Sequence, residues 1–232
     1  MEPPLQADET QIPLERVAKF VRQLTHDVRN GLSAIDLETA FIAEIATDEE
    51  VLAETRKLRE MIGETARMLR TVSQYFQPVR VHSISWAATT VIEELRKRLL
   101  AEFPEEAARI RVEHHFTDET LALDLLQTLS AVVAVVRNAV EFGTETAPLL
   151  LTGSVQDGQA VLELRESKPA FTPDLPPEQW GAFPLYSTRP GGYGLGLYQA
   201  RQIVQAQGGN LEIQWMEGVL ITRLTLLPGE AG

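Results

Sequence analysis

Two apolar stripes, each advancing by three and then four positions, limit what this chain can fold into more than any other feature. Val17, Val21, Leu24, Val28, Leu32, Ile35, Thr39 and Ile42 form the first; Val51, Thr55, Leu58, Ile62, Thr65, Leu69, Val72 and Phe76 form the second. A repeat of about 3.5 residues is the seam of a coiled coil or helical bundle. Between the stripes lies a polar stretch around Thr47, Asp48 and Glu49, where Thr47 or Asp48 can cap the second helix. Pro78 ends that helix, because proline lacks the amide donor and disfavours helix in the residue before it. Residues 14–77 are therefore predicted as a helical hairpin, preceded by a loose leader over residues 1–13 with Pro3, Pro4 and Pro13. Two helices with one stripe each cannot bury both sides alone. The expected solution is a four-helix bundle made by two copies, a homodimer. The alternative is a hairpin packed on the rest of its own chain.

Beyond Pro78 the pattern turns to mixed helix and strand, an α+β domain over residues 78–232. Residues 79–85 read as a short strand, 87–102 as an amphipathic helix, 109–116 as a strand, and 121–142 as a helix with a mostly apolar face. Residues 149–155 and 161–165 read as strands paired about the turn Asp157–Gly158. Residues 167–192 are rich in proline and glycine with little periodicity, a long loop of the kind that serves as a lid. A helix over 193–207, stopped by Gly208–Gly209, and a closing hairpin of 211–215 with 219–226 complete a mostly antiparallel sheet with helices on one face.

Composition narrows the function classes. A net charge of -12 argues against a nucleic-acid-binding surface and against an anionic membrane. The apolar stretch 121–140 is interrupted by Asp124, Gln127, Arg137 and Asn138, so no membrane contact is expected. The chain has no cysteine, which removes disulfides, thiolate metal sites and a thiol nucleophile and fits a cytoplasmic location. Its four histidines show no metal-ligand spacing.

Three constellations can carry chemistry. On the first helix, His26 lies two residues before Val28, roughly 200° around the axis from that seam position, so it is expected to be exposed. Asp27 is beside it, and Asn30 is one turn further on the same face. A neutral imidazole attacks phosphorus through one nitrogen while a carboxylate on the other fixes the tautomer. The plainer reading is a solvated His–Asp pair. The run from Pro190 through Gly191, Gly192, Tyr193, Gly194, Leu195 and Gly196 to Leu197 opens a helix, where glycines let backbone amides approach an anion; a hinge is the other reading. Asn138, on an otherwise apolar helix, needs a partner, either a structural hydrogen bond or a metal–phosphate site.

Together these motifs resemble one family. LTHDVRNGLSAI, RNAVEF and AFPLYSTRPGGYGLGLYQARQIVQAQGGNLEI are similar, in order and spacing, to the H box, N box and second glycine box of sensor histidine kinases, over roughly residues 14 to 227. The resemblance implies a dimeric phosphoacceptor bundle followed by a Bergerat-type α/β sandwich that binds ATP, as in gyrase. It implies His26 as the acceptor of the γ-phosphoryl group, Asp27 as its acid–base partner, and Asn30 at the position linked with dephosphorylating a response regulator. It further implies Mg²⁺ at Asn138, a lid with Ser187, Thr188 and Arg189, and Gly192, Gly194, Leu195 and Gly196 around the triphosphate. The partner implied is a response regulator receiver domain.

The sequence departs from that pattern in three places. Where the family has Asp-x-Gly-x-Gly, whose Asp accepts from the adenine amino group, this chain has Glu166, Ser167, Lys168, Pro169 and Ala170. Glu166 keeps an acceptor, one methylene longer, while Lys168 and Ala170 replace both glycines. Ala134 stands where the N box carries a further polar residue, and Gly31 where a proline follows the H box Asn. Two competing readings follow: a histidine phosphotransferase that relays phosphate without ATP, and a scaffold whose bundle only docks a regulator.

Overall fold

A computed structural model describes residues 13–143, 147–169, 175–184, 187 and 194–228. The chain divides into two compact units at Pro78–Val79.

The first unit is a pair of long helices, α1 (Leu14–Ile45) and α2 (Glu49–Tyr75). Asp48 starts α2, its Oδ1 accepting the Glu50 amide at 2.8 Å. Arg22 Nη1 donates to the Phe76 carbonyl at 2.7 Å, and Arg59 Nε meets Asp36 Oδ1 at 2.9 Å, tying the helices at two levels. The apolar stripes are only part-covered within one chain. Phe76 is buried, but Leu24, Val28, Ile35, Ile42, Val51 and Leu58 remain 39–51% exposed.

The second unit contains a five-stranded sheet and a separate two-stranded one. The elements in order are β1 (Ile84–Ala87), α3 (Ala88–Glu102), β2 (Ile110–His114), β3 (Thr120–Leu123), α4 (Leu125–Phe142), β4 (Leu149–Gln156), β5 (Gln159–Ser167), a 3-10 turn Pro177–Gln179, α5 (Gly196–Ala206), β6 (Asn210–Met216) and β7 (Val219–Leu226). The large sheet runs β2-β4-β5-β7-β6, with β2 parallel to β4 and every other pair antiparallel. Two tight turns close its hairpins, Asp157–Gly158 (φ 51° and 77°) and Glu217–Gly218 (φ 50° and 82°). Positive φ at both central residues is the signature of the turn whose twist matches the strands. Leu162 and Leu164 of β5, Ile203 and Val204 of α5, Val132 and Val136 of α4, and Ile92 and Leu95 of α3 meet in one core.

Three expectations shift. The segment predicted as helix over 121–142 begins with a strand, β3, and α4 starts only at Leu125. Asp124 makes that break, its Oδ1 capping the Gln127 amide at 3.1 Å and its Oδ2 accepting the His82 amide at 3.0 Å. The strand expected over 79–85 lies later, at Ile84–Ala87, where it pairs with β3. The last helix begins at Gly196 and ends at Ala206, with Gly208 (φ 75°) beyond it donating to the Gln205 carbonyl. By length and composition α4 is apolar enough to cross a bilayer; 44% of it is buried in the core of this unit.

Candidate functional site

Two groups of candidate residues emerge, one in each unit. On α1, His26 and Asp27 have side chains 63% and 59% exposed, with His26 Nδ1 3.1 Å from Asp27 Oδ1. A carboxylate accepts only, so this contact selects the tautomer with hydrogen on Nδ1 and leaves the lone pair on Nε2. Asn30 Nδ2 sits 3.4 Å from the same Nδ1, a longer contact that an Nδ1–H cannot also accept. Gln23 holds the carboxylate from one turn earlier, its Nε2 2.9 Å and 3.1 Å from the two Asp27 oxygens. The hydrogen bonds from His26 and then Gln23 keep the Asp27 carboxyl below its usual range. Gln23 was not singled out by sequence reasoning; its spacing of four from Asp27 was the available signal.

In the sheet unit, Asn138 lies on α4, half-buried and without a side-chain partner among the described residues. Its neighbour Arg137 turns elsewhere, to Glu102 Oε2 at 3.0 Å and over the Phe103 ring at 5.2 Å. Five residues after Asn138, about 7.5 Å along the helix axis, α4 ends at Gly143. A Cβ added there would lie 2.7 Å from Glu166 Oε1, so the Glu166 carboxyl fills the space beside that glycine. Glu166 sits on β5 between Leu149 of β4 and Leu220 of β7 and is only 2% exposed. Lys168 Nζ is 3.2 Å from Glu166 Oε1, with the two side chains 9% and 3% exposed. Burial pushes the Glu166 carboxyl above its ordinary value, partly opposed by Lys168.

Helix α5 packs beside α4. Its N-terminus carries no side-chain cap, Leu195 is buried, and Gly194 has a φ of 61°. A Cβ on Gly196 would meet nothing within 4 Å among the described residues, and the first-turn amides of a helix lack partners within the helix itself. The loop expected over 167–192 contains an anchored portion. Trp180 Nε1 donates to the Leu175 carbonyl, Arg201 Nη2 of α5 donates to the Trp180 carbonyl, both at 3.0 Å, and Gly181 packs against Leu197. Ser187 is half-buried. Thr188, Arg189 and Gly192 lie outside the described residues.

The geometry thus joins Gly143, Glu166 and Lys168 beside the end of α4, with Asn138 five residues earlier on the same helix. Among the described residues no cluster of three His, Asp or Glu side chains is placed to hold a metal. A divalent ion there would depend on the Asn138 amide oxygen together with a ligand's own oxygens.

Solved structures share this architecture. ShkA, crystallised full-length in complex with AMPPNP, aligns over 93% of this chain and 47% of its own, at 17% identity and a TM-score of 0.69. The histidine kinase ThkA, in complex with the response regulator protein TrrA, aligns over 92% of this chain and 63% of its own, at 16% identity and a TM-score of 0.56. The fold is that of a histidine kinase core. The Acinetobacter baumannii histidine kinase AdeS aligns over 88% of this chain and 95% of its own, at 15% identity and a TM-score of 0.51. The chain spans about half the length of ShkA. No family model and no curated protein matches the sequence.

Proposed function

We propose that the chain is a two-component histidine kinase core that phosphorylates His26 from ATP and passes the group to an aspartate of a response regulator. The observation that carries this reading is the exposed imidazole whose Nδ1 is engaged by Asp27, on a helical hairpin joined to a sheet unit with the histidine kinase fold.

Nε2 of neutral His26 attacks the γ-phosphorus. The N–P bond forms as the bond from phosphorus to the ADP oxygen breaks, and the Nδ1 proton stays in its hydrogen bond to Asp27 while positive charge develops on the ring. Gln23 keeps Asp27 in place for that role. The uncapped start of α5, with Gly192, Gly194, Leu195 and Gly196, receives the phosphates; Ser187, Thr188 and Arg189 belong to the lid over them. Asn138 is the protein ligand for Mg²⁺, which supplies charge neutralisation on the phosphates when bound. Glu166 faces the base. Asn30, beside the acceptor, orients water for dephosphorylation of the regulator. The exposed apolar stripe of α1 and α2 supports a homodimer through the hairpin.

Incubation of the chain with γ-labelled ATP and Mg²⁺, beside His26→Ala, tests the reading. Acid-labile label on the parent alone is the expected result. A folded parent that takes no label from ATP, yet accepts it from a phosphorylated receiver domain, would move the chain to the ATP-independent relay.

A further inference from the structure

The residue that departs most from the resembling pattern also makes the most deeply buried ion pair among the described residues. Lys168 stands where a glycine is expected, yet it does not turn to solvent. Its ammonium lies 3.2 Å from Glu166 Oε1, and its side chain is 9% exposed. The backbone fixes it there. The Lys168 amide donates to the Gly218 carbonyl at 2.6 Å, and the Lys168 carbonyl accepts from Trp215 Nε1 at 3.0 Å. Gly218 itself, at a φ of 82°, has Pro169 Cα 3.2 Å from where its Cβ would be. The β6–β7 turn therefore clamps residues 168–169 in the position that directs the lysine inward.

A buried carboxylate and a buried ammonium both need partners, because neither can recover hydration inside the protein. Glu166 Oε1 is buried with no hydrogen bond of good geometry, and the Lys168 ammonium is held against it at 3.2 Å, with Arg109 adding a further attraction. A base whose amino group seeks that oxygen must compete with a positive charge already held beside it. We propose that Lys168 is an internal occupant of the base pocket, so that its ammonium takes the Glu166 carboxylate and a purine gains little affinity from its ring. The inference rests on the reading of Glu166 as the base-facing acceptor. Affinity for nucleotide then comes mainly from the phosphates at the start of α5, and the residue at position 168 sets how far the base counts.

Titration calorimetry of the full chain with Mg²⁺-ATP and with Mg²⁺-tripolyphosphate, which has no base, separates the contributions. The parent should bind the two with similar affinity. Lys168→Gly should tighten ATP by about ten- to a hundredfold, the worth of one hydrogen bond to a charged group, with tripolyphosphate unchanged. The double change Glu166→Gln with Lys168→Gly removes the stranded carboxylate while keeping an oxygen that accepts from the base amino group, and should show a selective gain of the same sign. A parent that already prefers ATP tenfold over tripolyphosphate overturns the proposal while leaving the kinase reading standing. So does a Lys168→Gly chain whose ratio does not move. Binding of neither ligand by parent or variants removes the nucleotide site, and both readings with it.

Discussion

In the sheet unit large aliphatic side chains, among them Ile92, Leu95, Leu162, Ile203 and Leu224, are less than 2% exposed, whereas the least exposed of the described hairpin residues are Thr25, Thr39 and Thr55 at 4–5%. The two units fold on different terms. One closes its own core with aliphatic side chains from five strands and three helices. The other buries hydroxyls bonded to their own helix, Thr25 and Thr55 to carbonyls four residues back and Thr39 to one three back, and leaves much of its apolar stripe half-buried or exposed. A helix pair built this way gains little from closing on itself. Its apolar surface remains available to a second copy, and His26 stays in water.

Large-to-small substitution exposes the contrast most strongly. Leu162→Ala, at the middle of β5, should cost the sheet unit about 2–5 kcal/mol in urea unfolding, at any protein concentration. If it costs no more than a surface change, the sheet unit is not the self-sufficient partner. Next comes a polar pair. Gln207 is 6% exposed and accepts the Asp124 amide at 2.7 Å and the Thr128 hydroxyl at 3.3 Å, while its amide donates to the Ile203 carbonyl at 3.3 Å. It links the end of β3 and the start of α4 to the end of α5. Gln207→Ala should therefore cost about 1–3 kcal/mol by stranding buried groups. Thr55→Val in the hairpin removes a hydroxyl bonded only within its own helix and should be near neutral. Equal losses from both would erase the distinction between a polar group that joins elements and one that only satisfies itself.

A smaller effect tests the open stripe. Ile35 is 51% exposed and Leu58 48%. Changing either to Ala should leave a monomer almost unaffected, but in a two-copy bundle it removes about 1–2 kcal/mol of burial per chain. The expected signature is a dissociation constant raised about tenfold or more, read by sedimentation over a dilution series, with the sheet unit's unfolding unchanged. A monomer mass at every concentration, in parent and variants alike, would break the proposed dimer.

Much of this architecture was legible in the residues because its signals are local and periodic. The 3–4 repeat marked both helices of the hairpin, and Asp157–Gly158 marked the turn between β4 and β5. The boundary between β3 and α4 was missed because Leu121, Leu123, Leu125 and Leu129 read as one apolar run, although Asp124 followed three residues later by Gln127 was a start signal for a helix. The exposure of His26 followed from its angle to Val28. What sequence spacing did not yield was the company of Glu166. Its neighbours Gly143 and Lys168 are fixed by the end of α4 and by the turn at Gly218, and only the folded sheet brings those together. Gln23, by contrast, sat at a spacing that was there to be read.

The smallest expected effect contrasts two carboxylates within β5 itself. Burial alone would push Glu163 upward, but hydrogen bonds from Arg223 and then Arg165 outweigh it and hold the carboxyl below its ordinary value. Glu166, three residues on, is held above it by burial, with Lys168 only partly opposing. The signs of the resulting pH dependence are opposite. A lowered folded value contributes stability that is present above the unfolded carboxylate value and lost as pH falls through the folded one. A raised folded value contributes stability present below the unfolded value and lost as pH rises through the folded one. Denaturant midpoints of the sheet unit, followed across the acid range, should show Glu163→Gln losing part of the decline on the acid side. Glu166→Gln should lose part of the decline just above the usual carboxylate range, each by a slope of at most one proton. Should the Glu166 change alter the acid side instead, the Lys168 ammonium outweighs burial at that carboxylate, and the pair is a stronger occupant of the pocket than its geometry alone indicates.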